Sequence, residues 1–313
     1  MSTQTHGIKI GIIGGSGLGE LLAAQTSGHR HEMDTPFGAP SDAITESEWN
    51  GLPVFFLSRH GPGHLYNPSQ VPFRANIFAL KKLGCTHIIA SGAVGSLREE
   101  LRPRDLVIAD QIIDKTHKRS NTFYDKAAVH VEFAEPFCPV LRQILLKAGT
   151  ELQSNGTGSA ELQAFKIHER GCYVAMEGPA FSTRAESVMH RLWGGDLIGM
   201  TAMPEAKLAK EAEISYAMIS LVTDYDCWRT VDSHKHSSDP LALLTEIISH
   251  LKSASSNAIL LMKKAIDSIA KNPELLANCP AQKALQLAIW SDKKKIDATE
   301  VQRLAPLWMK YME

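Results

Sequence analysis

Nowhere in the 313 residues does an uncharged apolar run approach the roughly 20 that a bilayer-spanning helix needs, so no membrane association is expected. The start, Met1-Ser-Thr-Gln-Thr-His-Gly7, lacks the basic flank and apolar stretch of a secretory signal, and export is not expected either. Excess charge of one sign is missing as well. Lys and Arg total 33 against 34 for Asp and Glu, so no global field draws in nucleic acid. The five cysteines, Cys85, Cys138, Cys172, Cys227 and Cys279, are odd in number, widely spaced and without a CxxC pair, which reads as reduced thiols in the cytoplasm. Internal repeats and low-complexity tracts are absent, and Lys293-Lys-Lys295 reads as a solvated helix end. What is present is ordinary for a globular chain: 44% apolar and 21% charged residues, enough for one large α/β domain or two smaller ones.

The first strand signal is Lys9-Ile-Gly-Ile-Ile13, which breaks at Gly14-Gly15-Ser16-Gly17. Val54-Phe-Phe-Leu57 is a second buried strand, ending at Ser58-Arg59-His60-Gly61. Phe73, Ile77, Leu80 and Leu83 fall at helical spacing before Gly84. Strand 86–90 then runs into the small residues Ser91 to Gly95, and 105–113 reads as one further strand. Later come strand 172–176, a helix opened by the capping box Thr183-Arg-Ala-Glu186, and strand 197–200. Next are a helix begun at Pro204-Glu205, a strand from Tyr216 that stops at Thr223-Asp224, and a long helical stretch from Leu241 to Ile269. Alternating strands and helices predict α/β architecture. No boundary appears before about residue 270, so residues 1–270 are expected to form the main domain. Residues 271–313 read as a helical extension of unknown role, with a second capping box at Asp297-Ala-Thr-Glu300.

Four polar loops recur just beyond strand ends, where ligands collect in open α/β sheets. Gly14-Gly-Ser-Gly17 can bring amides and the Ser16 hydroxyl close to an oxyanion, because glycine removes the Cβ that would block approach. Arg59 adds a forked cation, Ser91-Gly92-Ala93 adds small residues and amides, and Thr201 sits at a strand-to-helix turn. Together they describe a phosphate cradle. A dinucleotide site with Asp34 as ribose acid is the competing reading, but the glycines give G-x-G-x-G rather than G-x-G-x-x-G. Thr223-Asp-Tyr-Asp-Cys-Trp228 places two acids and two aromatics at a strand end, a setting that fits a purine. A carboxyl group there can have its pKa raised by desolvation and by a neighbouring acid, and can then donate a proton to N7. His60 and His64 are no metal pair, since Gly61-Pro62-Gly63 prevents the helix that would align them, and His234 and His236 read as surface residues.

Taken in order, Gly14-Gly-Ser-Gly-Leu18, Asp34-Thr-Pro-Phe-Gly38, Ser58-Arg-His-Gly61, Gly95-Ser-Leu-Arg-Glu-Glu100, Ala134-Glu-Pro-Phe-Cys-Pro139, Glu177-Gly-Pro, Phe181-Ser182, Met200-Thr201 and Thr223-Asp-Tyr-Asp-Cys-Trp228 resemble the trimeric methylthioadenosine phosphorylase branch of the purine nucleoside phosphorylases. The resemblance covers roughly residues 8–265. It implies a single α/β domain whose mixed central sheet is partly closed into a barrel and surrounded by helices. It also implies a homotrimer, and phosphorolysis of 5′-methylthioadenosine to adenine and 5-methylthioribose 1-phosphate, a step of purine and methionine salvage. By the same resemblance Ser16, Arg59, His60, Gly92, Ala93 and Thr201 hold phosphate. Phe181, Ser182, Asp224 and Asp226 hold the purine, with Asp224 at N7 as the catalytic acid. Met200, His64 and His130 lie near the ribose and its 5′ group, His130 reaching over from a neighbouring subunit.

The implied mechanism needs no organic cofactor and no metal, because inorganic phosphate is the nucleophile at C1′. An anion beneath an oxocarbenium-like sugar and a proton donor at N7 both stabilise the transition state. Phosphorolysis of 6-oxopurine nucleosides is the alternative within this class, and a dinucleotide-binding dehydrogenase the alternative outside it. Three departures from the family pattern stand out. Gly92 stands where a hydroxyl residue is frequent, so Ser91 or a backbone amide is expected to substitute. The stretch 229–239, with His234, His236, Ser237 and Ser238, is unusually polar, and the tail beyond about residue 270 has no evident counterpart.

Overall fold

The computed structural model describes residues 7–25, 27–154, 165–229 and 240–312. It is a mixed α/β assembly around one large sheet. In chain order the first elements are β1 (Ile10–Gly14), α1 (Leu18–Gln25), β2 (His29–His31), β3 (Ile44–Trp49), β4 (Leu52–Ser58), α2 (Phe73–Lys82) and β5 (His87–Ser96). There follow β6 (Leu106–Ile108), β7 (Gln111–Asp114), α3 (Pro139–Ser154), β8 (Ile167–His168), β9 (Cys172–Ala175), α4 (Arg184–Leu192), β10 (Leu197–Gly199), α5 (Ala202–Glu211) and β11 (Ser215–Tyr225). The long α6 (Pro240–Lys271) precedes a tail of short 3-10 turns with α7 (Ala298–Arg303) and α8 (Ala305–Trp308).

Strand β5 is the junction of the sheet. Its N-terminal half lies parallel to β1 up to Ala90, its last residues Gly95 and Ser96 pair with β10, and β11 runs beside its whole length on the other edge. One path therefore reads β2-β3-β4-β1-β5-β10-β9-β7, while β11 leads to β6 and β8. β6 and β7 are consecutive in the chain but lie on different branches, so the ring they outline is joined by the bend at Ala109-Asp110 and not by a ladder. The sheet stays open there. The strand expected over 105–113 is two strands for the same reason.

The apolar spacing of α2 buries Phe73, Ile77 and Leu80, and Gly84 at φ +86 ends it where a side chain would be strained. Thr183 and Glu186 form the expected reciprocal capping box on α4. In α5, Met203 is non-helical and the regular turns start at Pro204. Two further sequence readings differ from the structure. The small residues Ser91 to Gly95 stay inside β5 instead of forming a loop, because β11 pairs with every one of them. The second capping box is half formed: Asp297 caps Thr299 N–H, but Glu300 turns to Arg303.

The tail packs into the main core. Leu285, Leu304, Leu307 and Trp308 share a cluster with Phe123, Phe137 and Tyr216. Glu213 Oε1 accepts from Leu285 N–H at 3.1 Å and from the Tyr311 hydroxyl at 2.6 Å, and Lys310 Nζ lies 2.6 Å from Oε2. Truncating Trp308 to alanine would cost about 3–5 kcal/mol, the usual range for a buried tryptophan. Among the described residues no helix is long and apolar enough to cross a membrane.

Candidate functional site

The expected anion side is built where four chain segments meet. Arg59 follows β4, and its N–H donates to Gly14 O at 3.0 Å, which ties the end of β4 to the end of β1. A Cβ on Gly15 would stand 2.6 Å from Arg59 Nη1 and 2.7 Å from Ser91 O, so only glycine fits this approach. A Cβ on Gly92 would lie 3.4 Å from Thr201 Oγ1 and 3.9 Å from Arg59 Nη1, placing the start of α5 against the same spot. Ser16 and Ala93 flank these points and are partly exposed. Between Ala90, the last partner of β1, and Gly95, the first partner of β10, one edge of β5 has no ladder partner among the described strands. The amides on that edge are free to meet an anion.

Arg59 is fully buried, with Nε and Nη2 bidentate on Glu205 at 2.7 and 2.8 Å and Nη1 on Ser91 O at 2.7 Å. Tyr216 also donates to Glu205, at 2.8 Å. Burial works against the guanidinium charge, but the carboxylate outweighs it and holds Arg59 firmly protonated. Sequence reasoning missed Glu205, since one acid in a helix carries no periodic signal. Side chains alternate along a strand, so the Ser91 hydroxyl lies on the face away from Gly92 and does not replace the missing hydroxyl there. Its Oγ is buried without a partner among the described residues.

His60 Nδ1 lies 2.8 Å from Tyr66 O, and a carbonyl only accepts, so Nδ1 carries the proton and Nε2 presents a lone pair. Burial first, then the neighbouring Arg59 charge, push its pKa down to about 4. The ring is therefore neutral at pH 7 and can accept from a protonated phosphate oxygen. His64, exposed, stacks on it with centroids 4.1 Å apart.

The expected base side lies where β5 and β11 end together. Asp224 pairs with Gly95 and Tyr225 with Ser96 after a register irregularity between Val222 and Asp224, so the two expected terminal residues are still in strand. A Cβ on Gly95 would lie 3.5 Å from Asp224 Oδ2 and 3.3 Å from Asp226 Cβ, so glycine keeps the space between the acids open. Burial raises the Asp224 pKa, the Thr223 hydroxyl 2.6 Å from Oδ1 opposes this, and the Asp226 charge adds to it. Asp226 is only 9% exposed, and its Oδ2 has no partner among the described residues. A buried acceptor left open in this way is costly unless a donor arrives.

The segment holding Ser182 is tied to these acids, because Cys227 Sγ donates to Ser182 O at 3.3 Å. Phe181 beside it is 86% exposed, an aromatic face held at the rim. Met200 packs so closely on Gly178 that a Cβ there would stand 2.5 Å from its sulfur. From behind, the buried Arg119 donates to Met200 O and Met203 O at 2.5 and 2.6 Å and to Glu177 O at 2.5 Å. Glu177 accepts from the His117 and Lys118 amides and from Arg119, and these bonds overcome its burial to hold it at about 2. The motif Glu177-Gly-Pro was visible in the sequence, but its tie to Arg119 was not, since Arg119 lies in an aperiodic loop.

His130 sits apart from this cluster within one chain. Its N–H donates to Ala288 O at 2.9 Å, and its ring meets Trp290 at 4.7 Å in the tail. The polar stretch with His234, His236, Ser237 and Ser238 lies outside the described residues.

A family model described as the phosphorylase superfamily matches residues 9–267. The chain belongs to this superfamily. The phosphorylase is 44% identical over 303 residues to the S-methyl-5′-thioadenosine phosphorylase of Synechocystis sp., covering 96% of this chain and 87% of that one. It is 42% identical to the enzyme of that name from Xenopus tropicalis, with 84% and 89% covered. Among solved structures, a methylthioadenosine phosphorylase from an antarctic soil metagenomic library is 42% identical at a TM-score of 0.82, with 96% of this chain and 99% of that one covered. The Schistosoma mansoni enzyme in complex with adenine is 35% identical at 0.79, covering 90% and 99%.

Two sequence-based readings are corrected by these findings. A match over 96% of the chain takes in most of residues 271–313, so the tail does have counterparts. The dinucleotide reading falls with family membership and with topology. Strand β2, after the glycine turn and α1, pairs antiparallel with β3 at the sheet edge, and Asp34 is exposed, so the parallel unit that a dinucleotide site requires is not built.

Proposed function

We propose that this phosphorylase cleaves 5′-methylthioadenosine with inorganic phosphate, giving adenine and 5-methylthioribose 1-phosphate. The observation that carries the reading is the pairing of an anion cradle at Gly15, Arg59, Gly92 and Thr201 with two acids at Asp224 and Asp226, three residues further along the same β5–β11 pair. Relatives bearing that enzyme name support it. Phosphate, held by Ser16, Arg59, His60, Thr201 and the open β5 edge at the Gly92-Ala93 step, attacks C1′ as the bond to N9 lengthens. Asp224, whose pKa burial raises, donates to N7, and the open Asp226 Oδ2 accepts from the 6-amino group. Phe181 stacks on the base, Ser182 helps to fix it, and Met200 and His64 line the sugar. The reaction as written uses no organic cofactor and no metal.

The same reading makes the enzyme a cytoplasmic homotrimer in which His130 serves a neighbouring site, which fits its position outside the cluster of its own chain. An acceptor at Asp226 favours 6-amino over 6-oxo purines. The test is incubation with methylthioadenosine, adenosine and inosine, with and without phosphate, followed by product identification. Adenine and a pentose 1-phosphate should form only with phosphate, and fastest from methylthioadenosine. Base release without phosphate, or a preference for inosine, would overturn the assignment.

A further inference from the structure

A side chain of α6 holds the backbone next to Asp224. His250 lies in the first half of that helix, which packs against β11, and only 13% of its side chain is exposed. Its Nδ1 stands 2.9 Å from Thr223 O, and a carbonyl only accepts, so Nδ1 carries the proton and donates. Nε2 lies 3.8 Å from Glu246 Oε1, one turn earlier. Thr223 is the residue that the β5–β11 register skips: Val222 pairs with Val94, Asp224 pairs with the next residue, Gly95, and Thr223 has no partner on β5. An irregularity of this kind leaves the extra residue outside the ladder and re-aims the side chains beside it. Thr223 is buried, so its carbonyl needs a partner within the protein, and the His250 ring supplies one.

The same threonine touches the acid. Thr223 Oγ1 lies 3.2 Å from Val94 O and 2.6 Å from Asp224 Oδ1, so it ties the carboxyl to the end of β5. With His250 on its carbonyl and Val94 on its hydroxyl, Thr223 is held at two points, and the direction of the Asp224 carboxyl follows from both. Further along, α6 also meets the anion side: a Cβ on Gly17, in the glycine loop, would stand 3.0 Å from both Leu251 Cγ and Ser255 Oγ. Displacing the whole helix would therefore disturb both sides of the site, whereas losing the one bond from His250 disturbs the acid alone.

We propose that His250 is a positioning residue for Asp224, its Nδ1–H fixing the out-of-register Thr223 so that the Asp224 carboxyl is aimed at the base. The inference rests on the reading of Asp224 as the proton donor to N7. His250 itself moves no proton in the reaction. Its action is geometric, because a small misplacement of a catalytic group forfeits much of the rate.

The test compares His250→Asn, His250→Phe and His250→Gln in the full-length enzyme, each shown to be folded by circular dichroism. Asparagine carries an N–H donor at the position of Nδ1 and should keep kcat within about twofold of the parent. Phenylalanine keeps a ring without a donor, and glutamine moves the donor to the place of Nε2. Both should lower kcat on the order of tenfold, short of the roughly hundredfold scale of a lost acid, and leave the KM for phosphate parental. Should phenylalanine prevent folding, the glutamine variant carries the comparison. In an Asp224→Asn background the same substitution should add little further loss, because the two residues act through one group. Crystal structures give a readout besides activity: the Thr223–Asp224 contact should be displaced in the phenylalanine or glutamine variant and kept in the asparagine one. A parent that releases base without phosphate would remove the reading of the reaction but not this inference, which the position of the carboxyl then decides. Parental kcat without the Nδ1 donor, an asparagine variant as slow as the others, an equal loss in the Asp224→Asn background, a raised KM for phosphate, or an unmoved Asp224 carboxyl would each overturn the proposal.

Discussion

Glu205→Gln isolates the charge on which the anion cradle depends. Arg59 and Glu205 are both fully buried and joined by two bonds of 2.7 and 2.8 Å, and Tyr216 donates to the same carboxylate. Glutamine keeps the shape but leaves the guanidinium uncompensated and turns one acceptor into a donor facing a donor. Removing one partner of a buried pair costs about 3–5 kcal/mol. With an unfolding entropy of about 2.1 cal/mol/K per residue over 313 residues, that lowers the melting temperature by roughly 5–8 °C. Phosphate bound beside Arg59 restores negative charge in the folded state alone, so it should protect the variant more than the parent. Differential scanning fluorimetry at fixed ionic strength, with and without phosphate, reads both effects. A variant melting with the parent, or equal phosphate protection in the two proteins, would refute the reasoning.

Asp224→Asn should lower kcat by on the order of a hundredfold, the scale of a lost general acid. Because burial raises the Asp224 pKa, the proton donor is present below that raised value and lost as pH climbs through it, so the variant should also lose this limb of the pH profile of kcat/KM. A folded variant with parental turnover removes Asp224 from the chemistry. His60 and His87 are both pushed down to about 4 from 6.5, chiefly by burial, so they are neutral in the native state and charge on unfolding. Their contribution is intact above about 6.5 and is lost as pH falls toward 4, and urea unfolding of His87→Gln should show a shallower acid loss than the parent; an unchanged slope would be the contrary result. Gly92→Ser should lower KM for phosphate about fivefold, one hydrogen bond's worth, provided the flexible Met218 Cε, 2.8 Å from the new Cβ, gives way; a raised KM would show that it does not.

Much of the geometry of the candidate site was legible because its residues sit in short motifs with local physical reasons. Gly15 must be glycine beside Arg59, Thr183 and Glu186 cap each other, and Asp224 and Asp226 flank one open space. What escaped sequence reading was set by partners remote in the chain. Ser91 to Gly95 look like a loop until β11 is placed beside them. Glu205 looks like any helical acid until Arg59 arrives from β4. The tail's apolar residues are too few per turn to show a period, yet Trp308 and Leu307 are buried in the main core.

The unpaired edge of β5 works as a gauge. Residues 91–94, bounded by the last rung of β1 and the first rung of β10, span about 13 Å at the usual rise of a parallel strand. The length of the slot is thus fixed by where two neighbouring strands stop, and the surrounding loops decide only what lines it. Exchanging loop residues can retune which nucleoside is preferred without changing the reach between anion and base, whereas one added rung on β1 would shorten the slot at its anion end.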